Sequence, residues 1–138
     1  MRLYCEREGY VPECKIVLFR RMVSMIEALP DIDPPERISC HVLTRILAKR
    51  FEGIGVVDGN FQGRGSHHSW LDLGEGVVAD VYPIGGVVPF LVDTSGYLNP
   101  WNRMYLPDET VAAGLEEDPE AIADEVLATM ESSALLEG

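Results

Sequence analysis

Residues 66–83, with the sequence SHHSWLDLGEGVVADVYP, constrain the fold of this chain more than any other stretch. Two short runs rich in apolar residues flank a Gly-Glu-Gly segment, which is typical of a β-hairpin with a three-residue turn. A loop of this length pairs Trp70 with Asp80, whereas a two-residue loop would turn His68 and Asp80 to opposite faces. With the three-residue loop, His68 and Asp80 are diagonal neighbours on one face, roughly 7–8 Å apart at the backbone.

The two faces of this hairpin are expected to differ in character. Because side chains alternate along a strand, Leu71 and Leu73 should pack towards the core, while His68 and Trp70 share the other face. An aspartate inside the apolar run Val-Val-Ala-Asp-Val-Tyr needs a polar partner, since an unpaired buried carboxylate is costly. His68 is the nearest candidate partner for Asp80.

A cysteine upstream of the hairpin stands where a helix is expected to begin. Ser39 is a favoured N-cap residue, which makes Cys40 the first helical residue. The unpaired amides and positive dipole end at that position favour a thiolate and can hold a developing oxyanion. His41 follows directly, but successive helical side chains diverge by about 100°, so His41 is not expected to approach the sulfur. The alternative interpretation is that Cys40 is a small buried hydrophobic residue.

The motif at residues 68–72, His-Ser-Trp-Leu-Asp, resembles the His-[Ala/Ser]-Trp-x-[Glu/Asp] strand of the transglutaminase-like branch of the papain-like cysteine enzymes. Residues 78–83, Val-Ala-Asp-Val-Tyr-Pro, resemble the following strand of that family, which carries an aspartate. The resemblance implies a nucleophile at Cys40, a base at His68 and an orienting carboxylate at Asp80, in the order Cys, His, Asp. It also implies chemistry on an amide or acyl group without specifying a substrate.

The pattern along the chain predicts one α+β domain spanning residues 1–138. The resemblance implies a papain-like, transglutaminase-like core, in which N-terminal helices pack on an antiparallel sheet and a C-terminal helix follows. Helices are predicted at residues 13–29, from residue 39, near 108–115 and from 119, and strands at 54–61, 67–73, 77–82 and 87–92, with irregular structure over 93–107.

Three further residues are predicted to support the site. Trp70 lies two positions after His68 and is expected on the same face. Asp58 could line the site from the preceding strand, although an aspartate before glycine is more often part of a turn. Gln62 is a candidate side-chain donor to an oxyanion. Trp101 and Tyr105 could cover the cleft, and the alternative for both is ordinary packing.

Composition excludes several classes of function. The net charge is −12, and residues 104–138 carry ten acids and no Lys or Arg, so nucleic-acid binding is not expected. No apolar run is long enough to span a membrane, and the N-terminal residues lack the apolar stretch of a signal peptide, so we expect a cytoplasmic protein without a membrane partner. The three cysteines have no Cys-x-x-Cys spacing, which argues against a disulfide framework and against zinc.

These observations predict a cysteine-dependent hydrolase or acyltransferase that acts on an amide or peptide carbonyl of a peptide or protein substrate. A Cys40–His68–Asp80 triad would form a thioester intermediate without a metal or cofactor. Two alternatives remain open. The chain could be a non-catalytic transglutaminase-like module that binds protein, or an acidic interaction protein whose helix at 119–136 docks on a basic partner.

Overall fold

The computed structural model describes residues 11–30, 38–61, 67–82, 89–95 and 99–137. These residues form an α+β fold, as predicted, with four α-helices and one five-stranded antiparallel sheet. In chain order the elements are α1 (Glu13–Glu27), α2 (Cys40–Arg50), β1 (Gly55–Phe61), β2 (His67–Asp72), β3 (Val77–Asp80), β4 (Phe90–Asp93), a 3₁₀ helix (Pro100–Arg103), β5 (Tyr105–Pro107), α3 (Thr110–Ala113) and α4 (Pro119–Glu137). The sheet order is β4-β3-β2-β1-β5.

The hairpin β2–β3 has the register that the sequence predicts. Leu71 pairs with Ala79, and Asp72 pairs with Val78, so Trp70 lies opposite Asp80. The turn between the strands uses positive φ angles at Gly74, Glu75 and Gly76. Glycine suits two of these three positions, because positive φ is costly for residues with a Cβ. The turn therefore fixes the face on which His68 and Asp80 meet.

The two faces of the sheet carry different cores. One is mainly aliphatic and joins the sheet to α1 and α2, and the other is rich in aromatic rings, so the predicted division of the hairpin faces is confirmed. The aliphatic core includes Phe19, Met22, Leu43, Leu47, Leu71, Leu73 and Leu91, and the aromatic core includes Trp70, Phe90, Tyr105, Val78 and Val92.

The prediction of irregular structure over residues 93–107 is wrong at its end. Tyr105–Pro107 form the short edge strand β5, which pairs with β1 through Phe61↔Tyr105 and Asn60↔Leu106. Three residues are too few to show the period-two alternation by which a strand is recognised in sequence. The strand matters because it carries Tyr105 into the aromatic core.

Helix α4 packs along α2 within the same chain. Val42 and Ile46 of α2 join Ile122 and Val126 of α4 in a third apolar cluster. Lys49 lies 2.6 Å from Glu120 and 3.4 Å from Asp124. Part of the acidic face that could dock on a partner is thus used inside the chain. No helix in the described ranges combines the length and apolarity needed to cross a bilayer.

Candidate active site

Cys40 is the first residue of α2, as the sequence predicts. Ser39 is the N-cap: its hydroxyl accepts a hydrogen bond from the Val42 amide at 3.4 Å, and its carbonyl accepts one from the Leu43 amide at 2.8 Å. The amides of Cys40 and His41 belong to the first turn, where helix geometry provides no carbonyl partner. The half-buried thiol therefore lies beside amides to which the helix itself gives no partner, at the positive end of the helix dipole.

His68 and Asp80 form a buried pair, which confirms that the two side chains meet. The Nε2 atom of His68 lies 2.9 Å from Oδ1 and 3.0 Å from Oδ2 of Asp80. His68 is 0% exposed and Asp80 is 1% exposed. Because Asp80 accepts from Nε2–H, the other ring nitrogen, Nδ1, is the one that can take a proton from a reacting group.

The free ring nitrogen of His68 is the one left for the thiol, because Asp80 occupies Nε2. Nδ1 is buried and makes no hydrogen bond of normal geometry within the described residues. The His68 ring nevertheless interacts with the Cys40 thiol, and Asp80 already occupies Nε2. No regular hydrogen bond joins Nδ1 to the Cys40 sulfur, and in catalytic pairs this bond often tightens only when substrate binds.

Tyr105 adds a second donor to Asp80. Its hydroxyl donates a 2.9 Å hydrogen bond to Oδ2. Burial and the neighbouring carboxylate raise the pKa of Tyr105, so the hydroxyl keeps its proton. Its ring packs edge-on against Phe61 and Trp70, with centroids 5.2 and 5.0 Å away. Tyr105 therefore packs in the aromatic core, as the packing alternative expects, and it also holds the Asp80 carboxylate.

The electrostatics of Cys40 and His68 favour an ion pair. Burial raises the pKa of the Cys40 thiol, but hydrogen bonding and positive charge from His41 and His68 outweigh this and lower it to about 6. Burial lowers the pKa of His68, but the bonds to Asp80 and Cys40 outweigh it and raise the value to about 9. Between these two values the pair is a thiolate and an imidazolium, the form in which cysteine is a nucleophile.

His41 also interacts with the Cys40 thiol, so the prediction that it points away from the sulfur is wrong. The turn of about 100° per residue fixes the direction of each Cα–Cβ bond, but not where the ring beyond it comes to lie. A hydrogen bond of 2.5 Å between Nδ1 of His41 and Oγ of Ser69 sets the orientation of the ring. No sequence pattern singles out this contact, because Ser69 lies 28 residues away.

Asp58 anchors a second network behind His41. The Ser69 hydroxyl donates a short hydrogen bond to Oδ1 of Asp58, and Arg45 binds both carboxylate oxygens at 3.0 and 2.8 Å. Burial would raise the pKa of Asp58, but the bonds from His41, Arg45 and Ser69 hold it well below its usual range. Asp58 lies within β1 and faces Ser69, so the turn interpretation is wrong. Asp58 therefore supports the site indirectly, because it binds Ser69, which in turn binds His41.

The remaining predicted residues have mixed outcomes. Trp70 is 2% exposed, and its ring centroid lies 6.1 Å from that of His68, so it forms a wall beside the imidazole. Gln62 lies outside the described residues, as does Cys5. Cys14 is exposed on α1, far along the chain from the histidine pair.

A cavity of about 310 Å³ opens on the aromatic side of the sheet. Its walls include Trp70, Trp101 and Tyr105, with Asp72 and Glu75 among the polar residues. Neither Cys40 nor His68 lines it. The cavity adjoins the site through Tyr105, which holds Asp80, and through Trp70, which lies beside the His68 imidazole.

No group of three His, Cys, Asp or Glu side chains within the described ranges is arranged to hold a metal ion. Comparison of the chain with protein-family models, with curated proteins and with solved structures gives no significant match. A function must therefore be argued from the chemistry of the residues around Cys40.

Proposed function

We propose that this protein is a cysteine-dependent hydrolase or acyltransferase that acts on the amide or peptide carbonyl of a peptide or protein. Cys40 is the nucleophile, His68 is the general acid and base, and Asp80 orients His68. We further propose a papain-like core of the transglutaminase-like branch. The order of a helix-start cysteine followed by strand-borne His and Asp supports this, as does the His-Ser-Trp motif.

One arrangement carries the proposal: an imidazole bound to a buried carboxylate lowers the pKa of a thiol that lies at a helix N-terminus. A structural histidine satisfied by Asp80 has no need of a thiol neighbour. A structural cysteine would not need two imidazoles to lower its pKa to about 6. Activated nucleophiles show this combination of perturbed thiol, base and orienting group.

In the first half-reaction the Cys40 thiolate attacks the carbonyl carbon, and a carbon–sulfur bond forms. The negative charge moves to the carbonyl oxygen, where the first-turn amides of α2 are available as donors. The His68 imidazolium then gives its Nδ1 proton to the leaving amine as the carbon–nitrogen bond breaks. A thioester remains on Cys40, and His68 is neutral.

In the second half-reaction neutral His68 takes a proton from water or from an acceptor amine. The resulting nucleophile attacks the thioester carbon, and Cys40 leaves as a thiolate. His68 is again an imidazolium, held in orientation by Asp80. Water as the acceptor makes the reaction a hydrolysis, and an amine makes it an acyl transfer.

Trapping of the acyl intermediate tests the proposal. The protein is mixed with p-nitrophenyl acetate as an activated acyl donor, quenched in acid, and mapped by peptide mass spectrometry. We expect acetylation of Cys40 and a fast first turnover of nitrophenolate. Untreated protein, incubated with peptides that carry internal glutamine and asparagine carboxamides, is assayed for ammonia release and for cleavage.

Three variants act as matched controls. Cys40→Ser should abolish the adduct, His68→Gln should slow its formation strongly, and Cys14→Ser should change nothing, because Cys14 is exposed on another helix. Equal acetylation of Cys14 and Cys40, or an acylation rate unaffected by His68→Gln in folded protein, would contradict the proposed function.

A further inference from the structure

Two imidazoles lower the pKa of the Cys40 thiol, although the proposed mechanism uses only one of them. His68 is bound to Asp80 on β3. His41 is bound through Ser69 on β2 to Asp58 on β1. The two histidines thus draw on separate carboxylates, and the second network has no part in the proton transfers described above.

We propose that His41 is a fixed cation that holds the Cys40 sulfur as a thiolate, and that Ser69 and Asp58 are positioning residues that keep His41 in this role. The inference deepens the proposed function and rests on it. His68 then moves protons during the reaction, while His41 keeps its own.

The direction of the hydrogen bonds supports this division. Ser69 has one hydroxyl proton, and it is donated to Asp58. The Ser69 oxygen must therefore accept from Nδ1–H of His41, which lies 2.5 Å away. Nδ1 is protonated in either charge state of the ring, which leaves Nε2 as the nitrogen available to the thiol.

The charges around His41 favour its cationic form. The titratable and polar groups around His41 come from four elements. They are Cys40 and Arg45 on α2, Asp58 on β1, Ser69 and His68 on β2, and Glu120 on α4. Glu120 lies 3.2 Å from Arg45. Oδ1 of Asp58 lies 3.8 Å from Nδ1 of His41. The carboxylate and the thiol together raise the pKa of His41 to about 9, against the effect of burial.

A fixed cation is useful at two points of the reaction. Before attack the sulfur is a thiolate, and His41 adds its positive charge to that of the His68 imidazolium. When the thioester is cleaved, the carbon–sulfur bond breaks and its electron pair returns to sulfur. His41 neither gains nor loses a proton in either step, so a positive charge is present each time the sulfur carries a negative one.

The pH dependence of Cys40 alkylation by iodoacetamide tests the inference without a substrate. The rate in the unmodified protein should rise with a midpoint near pH 6. His41→Gln removes the charge but keeps an amide donor, and we expect its midpoint to move up by about one pH unit or more, equivalent to about 1.4 kcal/mol. Ser69→Ala should move it in the same direction by less. His67→Gln, at an exposed position on β2, should leave it unchanged.

The pH dependence of acylation activity distinguishes the role of His41 from that of His68. His41→Gln should recover acylation activity when the pH is raised from about 6 to about 8, because the thiolate reforms, whereas His68→Gln should not recover at any pH. If His41→Gln fails to fold, the ring titration of His41 by NMR in the unmodified protein replaces it, with a midpoint expected near 9.

An alkylation midpoint that is unchanged in folded His41→Gln, or a His41 ring that is neutral at pH 7, would overturn the inference. The proposed function would survive that result if His68→Gln still abolished the acyl adduct. Conversely, absence of an adduct on Cys40 would overturn the proposed function, whatever the alkylation midpoints.

Discussion

Tyr105 donates a 2.9 Å hydrogen bond to Asp80 across 25 residues of sequence. Oδ2 of Asp80, which accepts this bond, also lies 3.0 Å from Nε2 of His68. The buried carboxylate of Asp80 thus has two donors, the Tyr105 hydroxyl and the His68 ring, and the ring can carry a positive charge. This arrangement explains how a charged group that is 1% exposed can be tolerated in an aromatic core.

Asp80→Asn tests the role of the carboxylate as an orienter. The side-chain shape is kept, so the fold should be nearly intact. An amide can donate to the imidazole where Asp80 only accepts, which favours the wrong tautomer. We expect a loss of roughly 10- to 1000-fold in kcat/KM on the acyl donor, less than in serine enzymes because the thiolate is preformed. Asp72→Asn, on the exposed end of β2, is the control and should have little effect.

Tyr105→Phe removes one donor from the same carboxylate and keeps the ring contacts. A hydrogen bond to a charged group contributes about 1.5–3 kcal/mol, so we expect a fall of that size in the free energy of unfolding, measured by urea titration. Activity should fall much less than in Asp80→Asn, because the His68 contact remains. A Tyr105→Phe protein as stable as the original would mean that the hydroxyl does not serve Asp80 in solution.

The pH profile of kcat/KM should be bell-shaped. Activity should rise as the pH passes about 6, where the Cys40 thiolate forms, and fall above about 9, where His68 loses the proton that it must give to the leaving group. The two limbs belong to the coupled pair, so they are macroscopic values. A profile that keeps rising from pH 7 to pH 9 would indicate that the thiolate is not preformed.

The sequence was sufficient to predict the local part of the site. The three-residue turn and the alternation of β2 determine that His68 meets Asp80. A favoured N-cap at Ser39 determines that Cys40 begins a helix. These features follow from short-range backbone geometry, which a single sequence displays.

The contacts of the site between segments far apart in sequence could not be predicted. The contact of His41 with Ser69 depends on how α2 packs on the sheet, and no spacing within either segment encodes it. Arg45 and Asp58 lie on different elements, and their pairing is visible only when both are placed. Likewise, β5 is too short for its alternation to be recognised, so Tyr105 could not be assigned to Asp80.

Removal of Arg45 should destabilise the protein more than removal of a nearby lysine. Arg45→Met leaves the half-buried Asp58 carboxylate with only Ser69 and His41, and breaking such a pair costs about 3 kcal/mol. Lys49→Met breaks exposed pairs with Glu120 and Asp124, which contribute at most about 1 kcal/mol. Urea titration of both variants measures the difference.

The stability lost in Arg45→Met should also depend on pH. Because the pKa of Asp58 is depressed in the folded protein, its stabilising effect is present above the unfolded value of about 3.9 and is lost as the pH falls below it. The gap in stability between Arg45→Met and the original protein should therefore narrow as the pH falls below about 4, towards the depressed pKa of Asp58 in the folded protein. A gap that stays constant would show that Arg45 acts by packing alone.

Of the two glycines in β1, Gly59 should be the one that does not tolerate a larger residue. A Cβ at this position would overlap the backbone carbonyl of Leu106 on β5 and lie 2.8 Å from the Trp70 ring. Neither neighbour can move freely, because one is backbone and the other is a buried indole. Gly59→Ala should lower the free energy of unfolding by about 1–3 kcal/mol. Acylation activity should fall as well, because displacement of β5 would carry Tyr105 away from Asp80.

Gly55→Ala is the matched control on the same strand. Gly55 is exposed, and no atom lies within 4 Å of a Cβ placed there, so this change should alter stability by no more than about 0.5 kcal/mol. Loss of activity in Gly59→Ala and not in Gly55→Ala, with both proteins folded at the assay temperature, would link the β1–β5 contact to the site. Equal effects of the two substitutions would contradict the close approach of β5 and, with it, the path by which Tyr105 supports the His68–Asp80 pair.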